Sequence, residues 1–180
     1  MLAFEKGIGS LVTGVGRSAC WLFIPLMALV VFDVVGRRFL SLPTVMLQEL
    51  QWYLHGMLLL LTIGYGYIAG VHVRIDVISQ RFSERTRLFI ELAGIALFLV
   101  PYIGLLFYLS VNFAWQSFET GEASSAAQGL SNRWIIKSFL PIGFLLILLS
   151  GVVMALAAYR RLLESRSGGL VTATDGETTR

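Results

Sequence analysis

The sequence predicts an all-α membrane protein with four transmembrane helices, a short interfacial helix before span two, and cytoplasmic N and C termini. Three observations predict it. The 180 residues are 56% hydrophobic and only 14% charged, where a soluble domain carries roughly 25% charged residues. A soluble chain this small has too little interior to keep that much apolar side chain from water. The apolar residues gather into four stretches of about the 20 residues that a bilayer crossing needs, separated by short polar connectors. The basic residues divide unevenly between alternate connectors. Lys6, Arg17, Arg74, Arg81, Arg85, Arg87, Arg160, Arg161, Arg166 and Arg180 fall on the side of both termini, against Arg37, Arg38, Arg133 and Lys137 on the other. The basic-rich side is the cytoplasmic one. On that topology Trp52, Trp115 and Trp134 all reach the outer interface, as an aromatic belt requires.

Met1 to Arg17 places Leu2, Phe4, Ile8, Leu11, Val12 and Val15 on one helical face. This reads as an amphipathic lead-in lying at the membrane surface. Ser18 to Val35 is span one. Gly36-Arg37-Arg38-Phe39 follows it rather than a small-residue cleavage site, so the span is expected to be retained. Pro25 removes a backbone hydrogen bond and is expected to kink it. Asp33, near the outer end, is expected to meet interfacial water or a partner.

Pro43 suits a helical first turn, and Leu42, Val45, Met46 and Leu50 recur at near-helical spacing. That pattern predicts the interfacial helix leading into Trp52–Val71, span two, read as the strongest apolar signal in the chain. Gly66 and Gly70 form a small-xxx-small pair that would admit a neighbouring helix. The basic loop from His72 to Arg87 closes this hairpin. His72 and Asp76 share a face if the helix continues, whereas His72, Arg74 and Asp76 share one in an extended segment. Leu88 to Val111 is span three, with Glu91 at its inner end and Pro101 within it. Asn112 to Lys137 is a polar connector expected to be flexible. Ser138 to Tyr159 is span four, stopped by Arg160 and Arg161. The domain division is a single membrane unit over 1–163 and a disordered cytoplasmic tail over 164–180, the latter rich in Ser, Gly and Thr.

Chemistry finds few candidates. The histidines, His55 and His72, lie about 25 Å apart along a helix and cannot ligate one haem from the same subunit. Cys20 is the single cysteine, so no intrachain disulfide or thiol pair is available. There is no phosphate-cradling glycine loop and no His-Glu zinc motif. No basic run interleaved with aromatics marks a nucleic-acid surface. The predicted catalytic, cofactor and metal sets are therefore empty. A self-sufficient small channel or transporter, and a haem- or quinone-binding anchor of an oxidoreductase, stand as alternatives.

Several short motifs follow one another on this four-span frame. They are Gly36-Arg37-Arg38-Phe39, Pro43-Thr44, Leu47-Gln48-Glu49-Leu50-Gln51-Trp52, His72-Val73-Arg74-Ile75-Asp76, and Ser83 opening a helix. Trp115, Ser117, Gly121-Glu122-Ala123-Ser124, Arg133-Trp134-Ile135-Ile136-Lys137 and Pro141-Ile142-Gly143-Phe144 complete the series. In this order the chain resembles the small membrane subunit (DctQ-like) of tripartite ATP-independent periplasmic (TRAP) transporters. The resemblance implies a multi-pass protein of the bacterial inner membrane, without enzymatic activity or cofactor. It implies a stable complex with a large, sodium-coupled, elevator-type membrane subunit and transient visits by a periplasmic substrate-binding protein. A 2-oxo acid or similar organic acid is the implied cargo. Ala126-Ala127-Gln128-Gly129-Leu130 departs from the family's usual proline- and glycine-rich connector.

Nine residues are the expected partner interface. Arg37, Arg38 and Glu49, with Trp52 behind them, bracket the first outer connector and either pin it or face a partner. His72, Arg74 and Asp76 form a polar lock onto the large subunit. Glu119 and Glu122 offer negative charge to the binding protein.

Overall fold

The structure, a computed structural model, describes residues 2–39, 45–70, 82–126 and 129–174. Among these residues there are helices and connecting turns and no strand.

Helices α1 (Leu2–Cys20) and α2 (Phe23–Phe39) form one rod with a joint at Trp21–Leu22. Pro25 sets the place. It has no N–H to offer the Trp21 carbonyl, and its ring crowds that same carbonyl four residues back. The chain tightens into shorter turns there: Trp21 N–H donates to Ser18 O at 3.2 Å, Leu22 to Ala19 O at 2.9 Å and Ile24 to Trp21 O at 3.2 Å. The apolar segment Ala3–Phe39 counts 37 residues, about 55 Å of helix against a hydrocarbon core of about 30 Å. The joint lets so long a segment change direction.

The expected division at Arg17–Ser18 does not appear. Instead of lying apart at a membrane surface, α1 packs against the helices described next, and its Val12 is fully buried. A methyl group placed on Gly16 would stand 2.3 Å from Tyr65 Cβ, so only glycine permits that contact.

Helix α3 (Val45–Ile68) runs unbroken from its first residue, so no separate interfacial element precedes Trp52 within it. Leu42 and Pro43 lie outside the described residues. Among the described residues three helical segments are long and apolar enough to cross a membrane: Ala3–Phe39, Glu84–Glu119 and Trp134–Leu163. The helix read from sequence as the most apolar is not among them. Tyr53, His55, Tyr65, Tyr67 and the interspersed glycines dilute α3. Its position explains why it tolerates them: it packs against α1, α2 and the last helix, so protein rather than lipid covers much of it.

Helix α4 (Glu84–Gly94) starts on Ser83, whose hydroxyl accepts from Thr86 N–H at 3.3 Å. It passes through one wide π turn, Ile95–Leu99, into α5 (Val100–Glu119). Pro101 sits just beyond that turn. The Val100 N–H reaches back to Ile95 O, and the widened turn gives the proline ring room against the carbonyl four residues behind it.

Helix α6 (Trp134–Thr174) is the hub. It touches α1, α3, α4, the π turn and α5. It continues through Glu164, where the sequence places the start of a tail, so that boundary is not a helix end. Small residues set its distance from α3. A methyl on Gly64 would meet Leu146 O at 2.9 Å, and one on Gly143 would meet Leu60 Cβ at 2.9 Å. The fully buried Ser150 hydroxyl lies 2.9 Å from Gly64 O and 2.6 Å from Leu146 O. The close approach thus falls at Gly64, while Gly70, half of the expected small-residue pair, faces nothing within 4 Å. Outside this seam the surface is apolar: Phe23, Val31 and Phe32 on α2, and Leu97, Tyr102 and Leu105 along the third segment, are each more than half exposed. A surface of that kind faces lipid or a neighbouring protein rather than water.

Gly64→Val should separate α3 from α6 and lower the midpoint of thermal unfolding in detergent, by an overpacking cost of about 1–3 kcal/mol. Gly104→Ala, where an added methyl meets nothing within 4 Å, should leave the midpoint unchanged or raise it.

Candidate functional site

The richest polar constellation lies where α5 turns back into α6. Helix α5 ends in a left-handed Gly121, φ +59°. Gly121 N–H donates to Phe118 O at 3.2 Å and Glu122 N–H to Ser117 O at 3.1 Å, the paired bonds of a Schellman ending. Asn132, φ 63°, makes the reverse bend into α6. Arg133 N–H to Glu122 O at 3.0 Å closes the base, and Ser124 N–H to Leu130 O at 3.0 Å closes the loop above it.

Two carboxylates hold this loop. Glu49, one turn into α3, accepts from the Ser124 hydroxyl in a short contact and from Leu130 N–H at 2.6 Å. The Ser124 hydrogen bond, then the Leu130 bond and the nearby Arg133 charge, hold its carboxyl below the usual glutamate range. Gly129 is required beside it: a methyl there would lie 2.2 Å from Ser124 Oγ and 2.9 Å from Glu49 Oε2. Glu122 pairs with Lys137 in a short contact and with Arg133 at 3.9 Å. The Lys137 bond is the main cause of its lowered pKa. Lys137 also sits 3.9 Å from the centroid of the Phe113 ring. Phe118 packs edge-on against Trp134 at 5.3 Å and tilted against Trp115 at 6.1 Å. A connector read from sequence as flexible is therefore cross-braced among its described residues.

The remaining expected residues scatter. Arg37 bonds Asp33 at 2.7 Å, one turn back on α2. Arg37 and Glu49 therefore do not pin the first connector together. Asp33 is 4% exposed, so the expectation of interfacial water around it is corrected: the helix geometry brings a guanidinium to it first. Arg38 is exposed, and Trp52 is exposed one turn beyond Glu49. Glu119 accepts from Trp115 Nε1 at 2.8 Å on its own helix. His55 is exposed. His72, Arg74 and Asp76 lie outside the described residues.

Sequence reasoning missed Ser124, Gly129 and Leu130 as partners of Glu49. Their separation along the chain leaves no periodic signal. Lys137 as the partner of Glu122 was open to discovery, because opposite charges flank a connector that must double back. Among the described residues no three His, Cys, Asp or Glu side chains gather to hold a metal. Glu49, Ser124, Glu122 and Lys137 of the loop are turned on one another, an arrangement that positions backbone.

The family described as "Tripartite ATP-independent periplasmic transporters, DctQ component" matches residues 26–162. No curated protein matches the chain.

Glu49→Ala should raise hydrogen exchange at the Ser124 and Leu130 amides roughly tenfold, while the α3–α6 seam stays protected. Acid should release the same loop in the unaltered protein. Both carboxyls have folded pKa values below their unfolded ones, so their contribution is present above the unfolded value of about 4.3 and is lost as pH falls through the lowered folded values. Fluorescence of Trp115 and Trp134 should therefore stay constant from pH 7 to 5 and change below about pH 4.

Proposed function

The chain belongs to the DctQ component family of tripartite ATP-independent periplasmic transporters, and from that premise we propose that it is the static scaffold of a sodium-coupled permease. A larger elevator-type subunit carries a small organic acid delivered by a periplasmic binding protein. This chain binds neither the acid nor sodium. Its task is to widen the fixed platform against which the larger subunit moves, because a broad wall resists tilting in lipid better than a narrow one.

The observation that carries the reading is the commitment of the polar groups at the loop end. Glu49, Glu122, Arg133 and Lys137 are used within the chain to fix its own loop. A substrate or ion site needs polar groups turned toward mid-membrane, usually on broken helices. The break in span one and the π turn in span three both have a proline as local cause, and the most buried seam is lined by glycine and serine.

In this reading α3 is the fourth crossing, its 24 residues amounting to about 36 Å of helix. Both termini are cytoplasmic in the inner membrane, as the distribution of basic residues favours. The braced loop then faces the periplasm, as do Trp52, Arg38 and Glu119, the surface a visiting binding protein would meet. His72, Arg74 and Asp76 lie at the cytoplasmic end and form the polar lock to the large subunit.

Removing this chain should abolish uptake of the radiolabelled acid by cells that retain the large subunit and the binding protein. Arg74→Ala and Asp76→Ala should each reduce co-purification of the large subunit several-fold. Uptake that persists without the chain, with the large subunit correctly assembled, would refute the scaffold role. Unchanged co-purification of both variants would remove the lock alone.

A further inference from the structure

Two side-chain atoms on α2 and α3 are buried without a hydrogen-bond partner, and their needs are opposite. Asp33 is buried on α2; its Oδ2 takes the Arg37 guanidinium at 2.7 Å, while its Oδ1 has no donor. Gln51 lies nearly two turns into α3, and its Nε2 is buried with no acceptor. A carboxylate oxygen only accepts and an amide nitrogen only donates.

Helix geometry brings the two to one place. The first element of that is facing. Tyr65 of α3 stands against α1, since a methyl on Gly16 would lie 2.3 Å from its Cβ. A helix turns about 100° per residue, so Gln51 falls within about 40° of Tyr65 and about 140° from Gly64, which faces α6. Gln51 is therefore on the side of α3 turned to the α1–α2 rod. Leu26, Asp33 and Gly36 are the buried residues of α2, and α2 packs on α3. The second element is level, and it is pinned from both directions. Phe39 ends α2 and Val45 begins α3, and Asp33 and Gln51 each lie about 9 Å of helix from those ends. Counted from the Gly16–Tyr65 contact, Asp33 is about 25 Å along the rod and Gln51 about 21 Å along α3. The two counts agree to within the reach of the side chains.

We propose that one water is held between Asp33 and Gln51, accepting from Gln51 Nε2 and donating to Asp33 Oδ1, and that it ties the connector end of α2 to α3. Buried polar groups are met by protein or by ordered water. These two atoms do not bond each other directly, and a water with two polar partners spans such a gap. Asp33 belongs to a segment apolar enough to cross a membrane, where lipid tails offer neither donor nor acceptor. A metal cation fits the place poorly. Asp33 already carries the Arg37 guanidinium, and among the described residues no three His, Cys, Asp or Glu side chains gather. The bridge acts where α2 needs it: α2 leans on α3, while Phe23, Val31 and Phe32 on its other faces are exposed. This inference rests on helix packing and not on the transport partnership.

The test uses the full chain with whatever subunit accompanies it, in lipid nanodiscs, imaged by electron cryo-microscopy at a resolution that shows ordered waters. One peak within about 3.2 Å of both Asp33 Oδ1 and Gln51 Nε2 is expected. An empty site, or a Gln51 amide bonded straight to Asp33, would overturn the proposal. So would a peak ringed by oxygens at about 2.4 Å, the mark of a cation. Thermal unfolding gives a second reading. Gln51→Met and Asp33→Leu should each lower the midpoint by several degrees. In the Asp33→Leu background, Gln51→Met should lower it no further, because both changes remove the same bridge. Losses that add would show two unrelated sites and count against the water. Where a variant fails to fold, the map of the unaltered protein decides.

Discussion

The distance between α3 and α6 is set by the absence of side chains, and the rest of the molecule is arranged around it. Gly64 and Gly143 let backbone approach backbone, and Ser150 then finds a carbonyl on the facing helix within hydrogen-bonding range. In lipid no hydrophobic force drives helix against helix, because the tails are as apolar as leucine. Close packing and buried hydrogen bonds have to supply the association. Once α3 and α6 are joined, α1 packs on both, α2 leans on α3, and the α4–α5 segment leans on α6.

The Glu49 latch acts on the same two helices from their far ends. Glu49 belongs to the first turns of α3, and the loop it holds leads directly into α6. A seam of small residues fixes how near the helices stand. A carboxylate with two donors and a carboxylate with two cations fix how they are capped. The aromatic contacts of Phe118 with Trp115 and Trp134 brace the loop from the α5 side. These features brace the loop end from within the chain, which suits the scaffold role proposed above. Family membership supplies the setting, a component of a tripartite transporter, and the structure shows Glu49, Glu122, Arg133 and Lys137 bonded within the chain's own loop end.

An apolar groove between α3 and the α4–α5 segment has a different character. It lies between two segments that both pack on α6.

The amino-acid sequence by itself determined that this chain is helical and membrane-embedded, because long apolar stretches and a low charge content have few other solutions. The ordered short motifs, from Gly36-Arg37-Arg38-Phe39 to Pro141-Ile142-Gly143-Phe144, pointed to the family that the match over 26–162 establishes. Local chemistry was legible too: Pro25 marked the joint in the first rod, and Ser83 opened α4. Relations between distant residues were not legible. Glu49 bonds groups 75 and 81 residues away, and no periodicity carries that information. Glycine spacing pointed to a pair that includes Gly70, which faces nothing within 4 Å, whereas a close contact falls at Gly64, since the rotation of a helix about its axis is chosen by its neighbours. How α3 tolerates its tyrosines, His55 and glycines was hidden for a related reason. How much lipid a helix meets depends on how many helices surround it, and only the tertiary structure decides that.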